Sequence, residues 1–341
     1  MNLTIEQIKS ITTGAVSVAQ ESDGIHFYRF TPEQAPLRQP RVRMFDEKIT
    51  SSAGVRLSFR TDSQTLYLRT TVKPGSACKF FSFDVFVNGV YTESLENFSH
   101  LEIPENTNDL VCELGTYEKT FSLGSGTKEV SLYFPWSVTP VLEALALEDG
   151  SDLTPSIPAK KLLVYGDSVS HGYNTLYCSK HYVSQLARAL DAQVFNKAIG
   201  GTTSFPEMAL AKEPFDPDYI VVAYGSNDWD RHYADFFTQQ YRAMLQNIAD
   251  NYPNAQVFAI TPIWRGDEER RERKMGPLSA VEQHIRAIAA DFPEVTVITG
   301  MDLVPNDHSY YADLDLHPND SGFAHFFNNL WPQIDAARKR L

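Results

Sequence analysis

Several features that would assign a protein quickly are missing from this chain. Its 341 residues include only three cysteines, Cys78, Cys112 and Cys178, far apart and with no C-x-x-C pair. That argues against a disulfide framework or a zinc knuckle. No apolar run reaches the roughly 18 residues of a membrane-spanning helix. Met1–Ser22 has no basic start followed by an apolar core, so no signal peptide is expected and cytoplasmic residence is the default expectation. Basic residues are in deficit: 30 Lys+Arg against 43 Asp+Glu give a net charge of −13. This speaks against a nucleic-acid partner, which needs a basic face, and against a polybasic membrane anchor. There is no G-x-S-x-G elbow, no H-E-x-x-H, no Walker loop and no G-x-G-x-x-G; nothing calls for a metal or an organic cofactor.

What is present is an ordinary globular balance, 43% hydrophobic and 21% charged, over a length that suits two domains. The pattern changes near residues 150–160. Before it, Val55–Phe59, Phe81–Val87 and Val130–Phe134 alternate apolar and polar residues, the mark of half-buried strands. Asn88-Gly89 between two such runs is a hairpin signal. Short, closely spaced strands predict an antiparallel sandwich over residues 1–155. Val141–Leu147 suits either a helix or a strand. Gly150–Pro158 is rich in turn formers and reads as a linker.

From 156 to 341 the rhythm is strand and helix in alternation. Apolar strands are expected at 161–165, 193–196, 219–224, 256–261 and 295–298. Between and after them come helical faces: Val183, Leu186, Ala187 and Leu190, with Ser179 as a candidate cap; Phe237, Tyr241, Met244, Leu245 and Ile248; Leu278, Val281, Ile285 and Ile288; and Phe323, Phe327, Leu330 and Ile334. This predicts a parallel sheet covered by helices on both faces. The run Asp267–Lys274, with four charges of each sign, reads as a solvated loop.

Open parallel sheets bind ligands beyond the carboxyl ends of their strands. There stand Gly166-Asp167-Ser168 after the first strand, Gly200-Gly201 after the second, Gly225-Ser226-Asn227-Asp228 after the third, and Asp313-Leu314-Asp315-Leu316-His317 after the fifth. A serine hydroxyl becomes a nucleophile when a histidine takes its proton and an acid orients that histidine. The developing oxyanion needs preorganised donors; the N–H groups of Ser168 and Gly201 and the Asn227 amide are candidates. Asp167 is expected to hold its loop through backbone N–H groups. His171 lies near enough to Ser168 to touch a substrate. Trp229 and Trp264 fall at the same end, as sugar- or acyl-packing candidates or as core, and the loop Trp264–Met275 is a candidate lid.

Four blocks in this order, GDS at 166–168, Gly201, G-x-N-D at 225–228 and His317-Pro318-Asn319, resemble the SGNH or GDSL hydrolases over residues 160–341. The upstream sandwich resembles the jelly-roll-like domain that precedes the SGNH domain in some carbohydrate esterases. The resemblance implies a three-layer αβα, flavodoxin-like five-stranded sheet. It implies Ser168 as nucleophile, His317 as base, and an oxyanion hole of Ser168, Gly201 and Asn227. It further implies a carboxylic ester hydrolase acting without cofactor, removing short acyl groups such as acetyl from a carbohydrate or small molecule. The acidic net charge mildly favours such neutral substrates. An acyltransferase would use the same residues; a non-catalytic sugar-binding scaffold would not need Ser168 and His317 intact. One departure stands out: the family aspartate lies three residues before the histidine, where this chain has Leu314. Asp315 is favoured as the orienting acid, with Asp313 as rival and a Ser–His dyad as third reading.

Overall fold

In the computed structural model, which describes residues 1–268 and 273–339, the alternating segments pair as two antiparallel sheets. One runs in the order Thr12–Thr13, Arg56–Thr61, Lys128–Tyr133, Ser82–Val87, Val90–Glu96, with Thr154–Pro155 also paired to Arg56–Thr61. The other runs Ser17–Glu21, Gly24–Tyr28, Val138–Leu147, Thr65–Pro74, Thr116–Ser122. Their inward residues, among them Leu57, Phe59, Leu68, Phe83, Leu132 and Leu142, share one core. Asn88 adopts φ 50° and Gly89 φ 78° between Ser82–Val87 and Val90–Glu96. Left-handed conformation at both central residues suits the twist of paired strands. Val141–Leu147 is strand, paired along Thr65–Pro74.

The parallel sheet has the order Ala192–Asn196, Lys160–Gly166, Tyr219–Ala223, Gln256–Ile260, Val295–Ile298. This 2-1-3-4-5 arrangement is the flavodoxin-like order, whose switch point lies at the carboxyl end of the first strand. Helices cover both faces: Tyr182–Leu190 and Asp320–Arg338 on one, Ala234–Asn251 and Ser279–Ala289 on the other. Two local expectations shift. His181, not Ser179, precedes helix Tyr182–Leu190, because the Ser179 N–H is held by the Asp84 carboxylate at 2.8 Å, within a separate 3₁₀ turn. Phe326 rather than Phe327 joins Phe323, Leu330 and Ile334 in the buried stripe. Among the described residues, no helix is long and apolar enough to cross a membrane.

The two architectures are joined by more than a linker. Phe30, Val42 and Phe45 leave the sandwich and pack into the core of the parallel-sheet part. Arg29 is fully buried at this seam, and its guanidinium donates to the Asn196 and Ala198 carbonyls on one side and to the Lys48 and Ser51 carbonyls on the other. Those acceptors are neutral, so burial is uncompensated by an anion and pushes Arg29 down to about 9. A second seam cluster sets Phe80, Tyr133 and Trp136 against Tyr173 and Cys178. The Trp136 indole N–H reaches the Thr175 carbonyl at 2.9 Å.

Candidate active site

Strand Lys160–Gly166 ends in a sharp turn into the short helix Ser168–His171. Asp167 caps that helix, accepting from Val169 N–H at 3.1 Å, so it holds the turn as its residue type implies. Burial raises the Asp167 carboxyl to about 6 against the effect of that hydrogen bond. Ser168 is thereby the first helical residue, with its Oγ 2.8 Å from His317 Nε2.

On the other side of the imidazole, Nδ1 lies 2.6 Å from Asp313 Oδ2. The favoured Asp315 is not at that position. Leu314 adopts a left-handed φ of 68°, and Asp313 Oδ1 collects the N–H groups of Asp315 (3.2 Å), Leu316 (2.8 Å) and His317 (2.9 Å). Such a side-chain-to-backbone turn absorbs the extra residue and brings the minus-four acid to the imidazole. The Asp315 carboxylate instead approaches His308, 3.7 Å from its Nδ1. Burial opposes ionisation of Asp313, but His317 and the turn N–H groups outweigh it and hold the carboxyl well below the usual range.

The glycine pair stands beside Ser168. Gly201 has φ 88°, a conformation that L residues rarely adopt. A Cβ on Gly200 would stand 2.3 Å from the Tyr173 ring, and that ring in turn packs on His317 at 5.4 Å between centroids. Asn227 is the second residue of the helix Ser226–Arg231 that follows the third strand, and its amide donates to Thr202 O at 2.9 Å, leaving a second hydrogen for a ligand. Both Asp228 oxygens accept from Ser204 N–H, steadying the same loop.

Two cations that sequence reasoning missed grip this loop. Lys48 Nζ donates to Gly200 O at 2.8 Å, and Arg231 donates to Gly201 O. A peptide unit is planar and trans. Fixing Gly200 O therefore aims the Gly201 N–H in the opposite direction within that plane. Lys48 comes from the sandwich half and carries no sequence signal. Arg231 lies one helical turn beyond Asn227, a spacing that placed it on the same face. Burial lowers Lys48 to about 8, helped by Arg231.

His171 is fully buried and does not face a substrate. Its Nδ1 accepts from Gly200 N–H at 3.0 Å, so its Nε2–H donates to Ser51 Oγ at 2.8 Å. Burial pushes its proton affinity well below the ordinary value, consistent with a neutral ring. Trp229 is likewise core: it is 1% exposed, its indole bonds Gly276 O at 2.8 Å, and Arg273 stacks on it. Trp264 packs against His308 and Tyr311. The candidate lid and the charged run both include residues 269–272, which lie outside the described residues.

Residues 164–325 match the GDSL-like lipase/acylhydrolase family. The chain carries a domain of that family. Its fold is that of several solved structures. The salicylyl-acyltransferase SsfX3 from a tetracycline biosynthetic pathway aligns with TM-score 0.76 and 21% identity over 96% of this chain and 94% of its own. A GDSL-like lipase from Bacteroides ovatus aligns with TM-score 0.74 and 18% identity over 99% and 98%. A family two carbohydrate esterase from Cellvibrio japonicus aligns with TM-score 0.64 and 17% identity over 98% and 96%. At these identities the likeness is one of fold, and it covers the sandwich as well as the GDSL-like domain. No curated protein matches the chain.

Proposed function

We propose that this protein is a serine esterase that works through an acyl-enzyme. The observation that carries the reading is the continuous hydrogen-bonded line from Ser168 Oγ through His317 to Asp313. Asp313 accepts Nδ1–H, so Nε2 presents a lone pair to the serine proton. Oγ attacks the ester carbonyl as its proton passes to Nε2. The oxyanion gathers the N–H groups of Ser168 and Gly201 and the free hydrogen of the Asn227 amide. Collapse breaks the bond to the alcohol, which leaves with the proton from Nε2. Water then repeats the sequence and frees the acid and Ser168. The carbohydrate esterases among the fold relatives support acylated sugars or small molecules as substrates, with acetyl as the group removed. Fluorophosphonate labelling followed by peptide mass spectrometry tests the nucleophile: the label is expected on Ser168 in folded protein and nowhere after heat denaturation. A folded protein that turns over p-nitrophenyl acetate with Ser168 unlabelled overturns the assignment.

An acyltransferase is the second reading, supported by the likeness to SsfX3 over nearly the whole of both chains. An alcohol would then replace water at the second step. Product partitioning between free acid and a new ester, measured with added acceptor alcohols, separates the two.

The Lys48 contact supplies a pH prediction. Lys48→Met is expected to lower kcat about tenfold with little change in KM, less than the loss of a direct oxyanion donor. The groups around Lys48 are Arg231, Arg43, Glu47, Cys78 and the Tyr173 ring. Its depressed value of about 8 means that the ammonium is present below that pH and lost above it. Wild-type kcat should therefore fall through pH 8, and Lys48→Arg should carry activity to higher pH. An unchanged alkaline limb in Lys48→Arg would show that Lys48 is only packed there.

A further inference from the structure

A pocket of about 380 Å³ opens beside the oxyanion loop. Residues 37–42 of the sandwich half form one wall, the loop 203–207 a second, and Arg231, His232 and Phe236 a third. Its inner end meets Gly201: Val42 Cγ1 would lie 3.5 Å from a Cβ there, and Arg231 bonds the Gly201 carbonyl. That volume is in the range of small-molecule sites and far exceeds what an acetyl group fills.

The walls combine apolar and cationic side chains with neutral polar ones. Leu37, Val42, Phe205 and Phe236 supply the apolar part. Arg38, Arg41 and Arg231 supply the charge. Arg38 is engaged by Asp46 at 2.6 Å. Arg41 makes no hydrogen bond or ion pair among the described residues. Arg231 uses one of its five N–H donors on Gly201 O, and its nearest side-chain carboxylate, Asp230 at 4.0 Å, is already bonded by Arg273. Of the acids nearby, Asp228 is buried and turned to Ser204 N–H, and Glu207 is exposed at the rim. Burial weakens Arg231's hold on its proton against the opposing pull of Asp167 and Asp228, and Arg265 and Arg41 add smaller effects in the same direction as burial. Two arginines with unused N–H donors, Arg41 and Arg231, thus border one open pocket where they can receive an anion. The net charge of −13 does not cancel this, because charges beyond roughly 8 Å are largely screened.

We propose that this pocket binds an anionic group, carboxylate or phosphate, carried by the ester substrate itself, with Arg41 and Arg231 as its ligands. The inference rests on the esterase reading and narrows it: the preferred substrate is an acidic ester rather than the neutral one that the net charge suggested. Two matched pairs distinguish the side on which the anion lies. Mono-p-nitrophenyl glutarate against p-nitrophenyl valerate places it on the acyl group, and 4-acetoxybenzoate against its methyl ester places it on the alcohol. The readout is the charged-to-neutral ratio of kcat/KM in wild type divided by the same ratio in Arg41→Gln, so intrinsic reactivity cancels. For one of the pairs this quotient is expected to be about tenfold, the size of a hydrogen-bonded contact to a charged group. Adding 0.5 M salt should shrink the wild-type ratio. Arg43→Gln, an exposed arginine outside the pocket, should leave the ratio unchanged. A quotient within about twofold of one for both pairs overturns the anion site while leaving the esterase intact. Failure of wild type to hydrolyse even p-nitrophenyl acetate overturns both.

Discussion

Ser168→Ala is expected to reduce kcat toward p-nitrophenyl acetate by about 10⁴-fold or more, to the level of a protein-free blank corrected for contaminants. Removal of a serine nucleophile elsewhere costs on the order of 10⁶ in kcat. The substitution deletes one oxygen and leaves the residue-168 N–H, Gly201, Asn227 and the His317–Asp313 pair in place, so any residual rate measures what these supply without the nucleophile. Misfolding is not an expected confounder. The helix is capped by Asp167 and not by the Ser168 side chain, and the Oγ partner is His317, whose orientation is independently set by Asp313. Thermal unfolding within about 2 °C of wild type, together with lost turnover, is the supporting result. Retention of more than about 1% of kcat in a correctly folded variant would falsify the nucleophile assignment.

The parallel sheet and the four blocks were legible because each rests on a local pattern. Apolar runs at 162–165 and 219–224, short and flanked by turn formers, read as buried strands, and residues placed after such strands meet at one end of the sheet. What escaped the sequence was non-local or depended on backbone angles. Phe30, Val42, Phe45 and Lys48 lie in a stretch with neither a period of two nor of 3.6. Its only helix, Phe45–Thr50, is six residues long. Nothing in that stretch shows that it leaves the sandwich to join the core of the parallel-sheet part. Trp229 looked available for a ligand because it adjoins Asn227, yet a residue two further along a helix points away from it. His171 follows the same logic: nearness in sequence to Ser168 placed it behind the loop, where it supports Gly200, and not in front of it.

The choice between Asp313 and Asp315 shows this limit most sharply, because residue counting is blind to φ. Its test is the second large effect. Asp313→Asn is expected to lower kcat by about 10³–10⁴-fold, whereas Asp315→Asn should change it by about twofold at most. Three N–H groups converge on Asp313 Oδ1, so an asparagine must keep its carbonyl oxygen there. Its NH₂ is then forced into the Oδ2 position, facing His317 Nδ1. A donor at that site requires Nδ1 to be an acceptor, and a neutral imidazole then carries its proton on Nε2. That tautomer offers Ser168 a donor where the reaction needs a lone pair. The turn itself survives, so KM and thermal stability should stay near wild type and the loss should fall on kcat. Asp313 is held ionised far below neutral pH, so the acidic limb of the wild-type profile should not report its titration. A larger loss in Asp315→Asn would assign the acid to Asp315 and require the turn before His317 to take another register. Small losses in both would leave a Ser168–His317 dyad, with the imidazole oriented by packing against Tyr173.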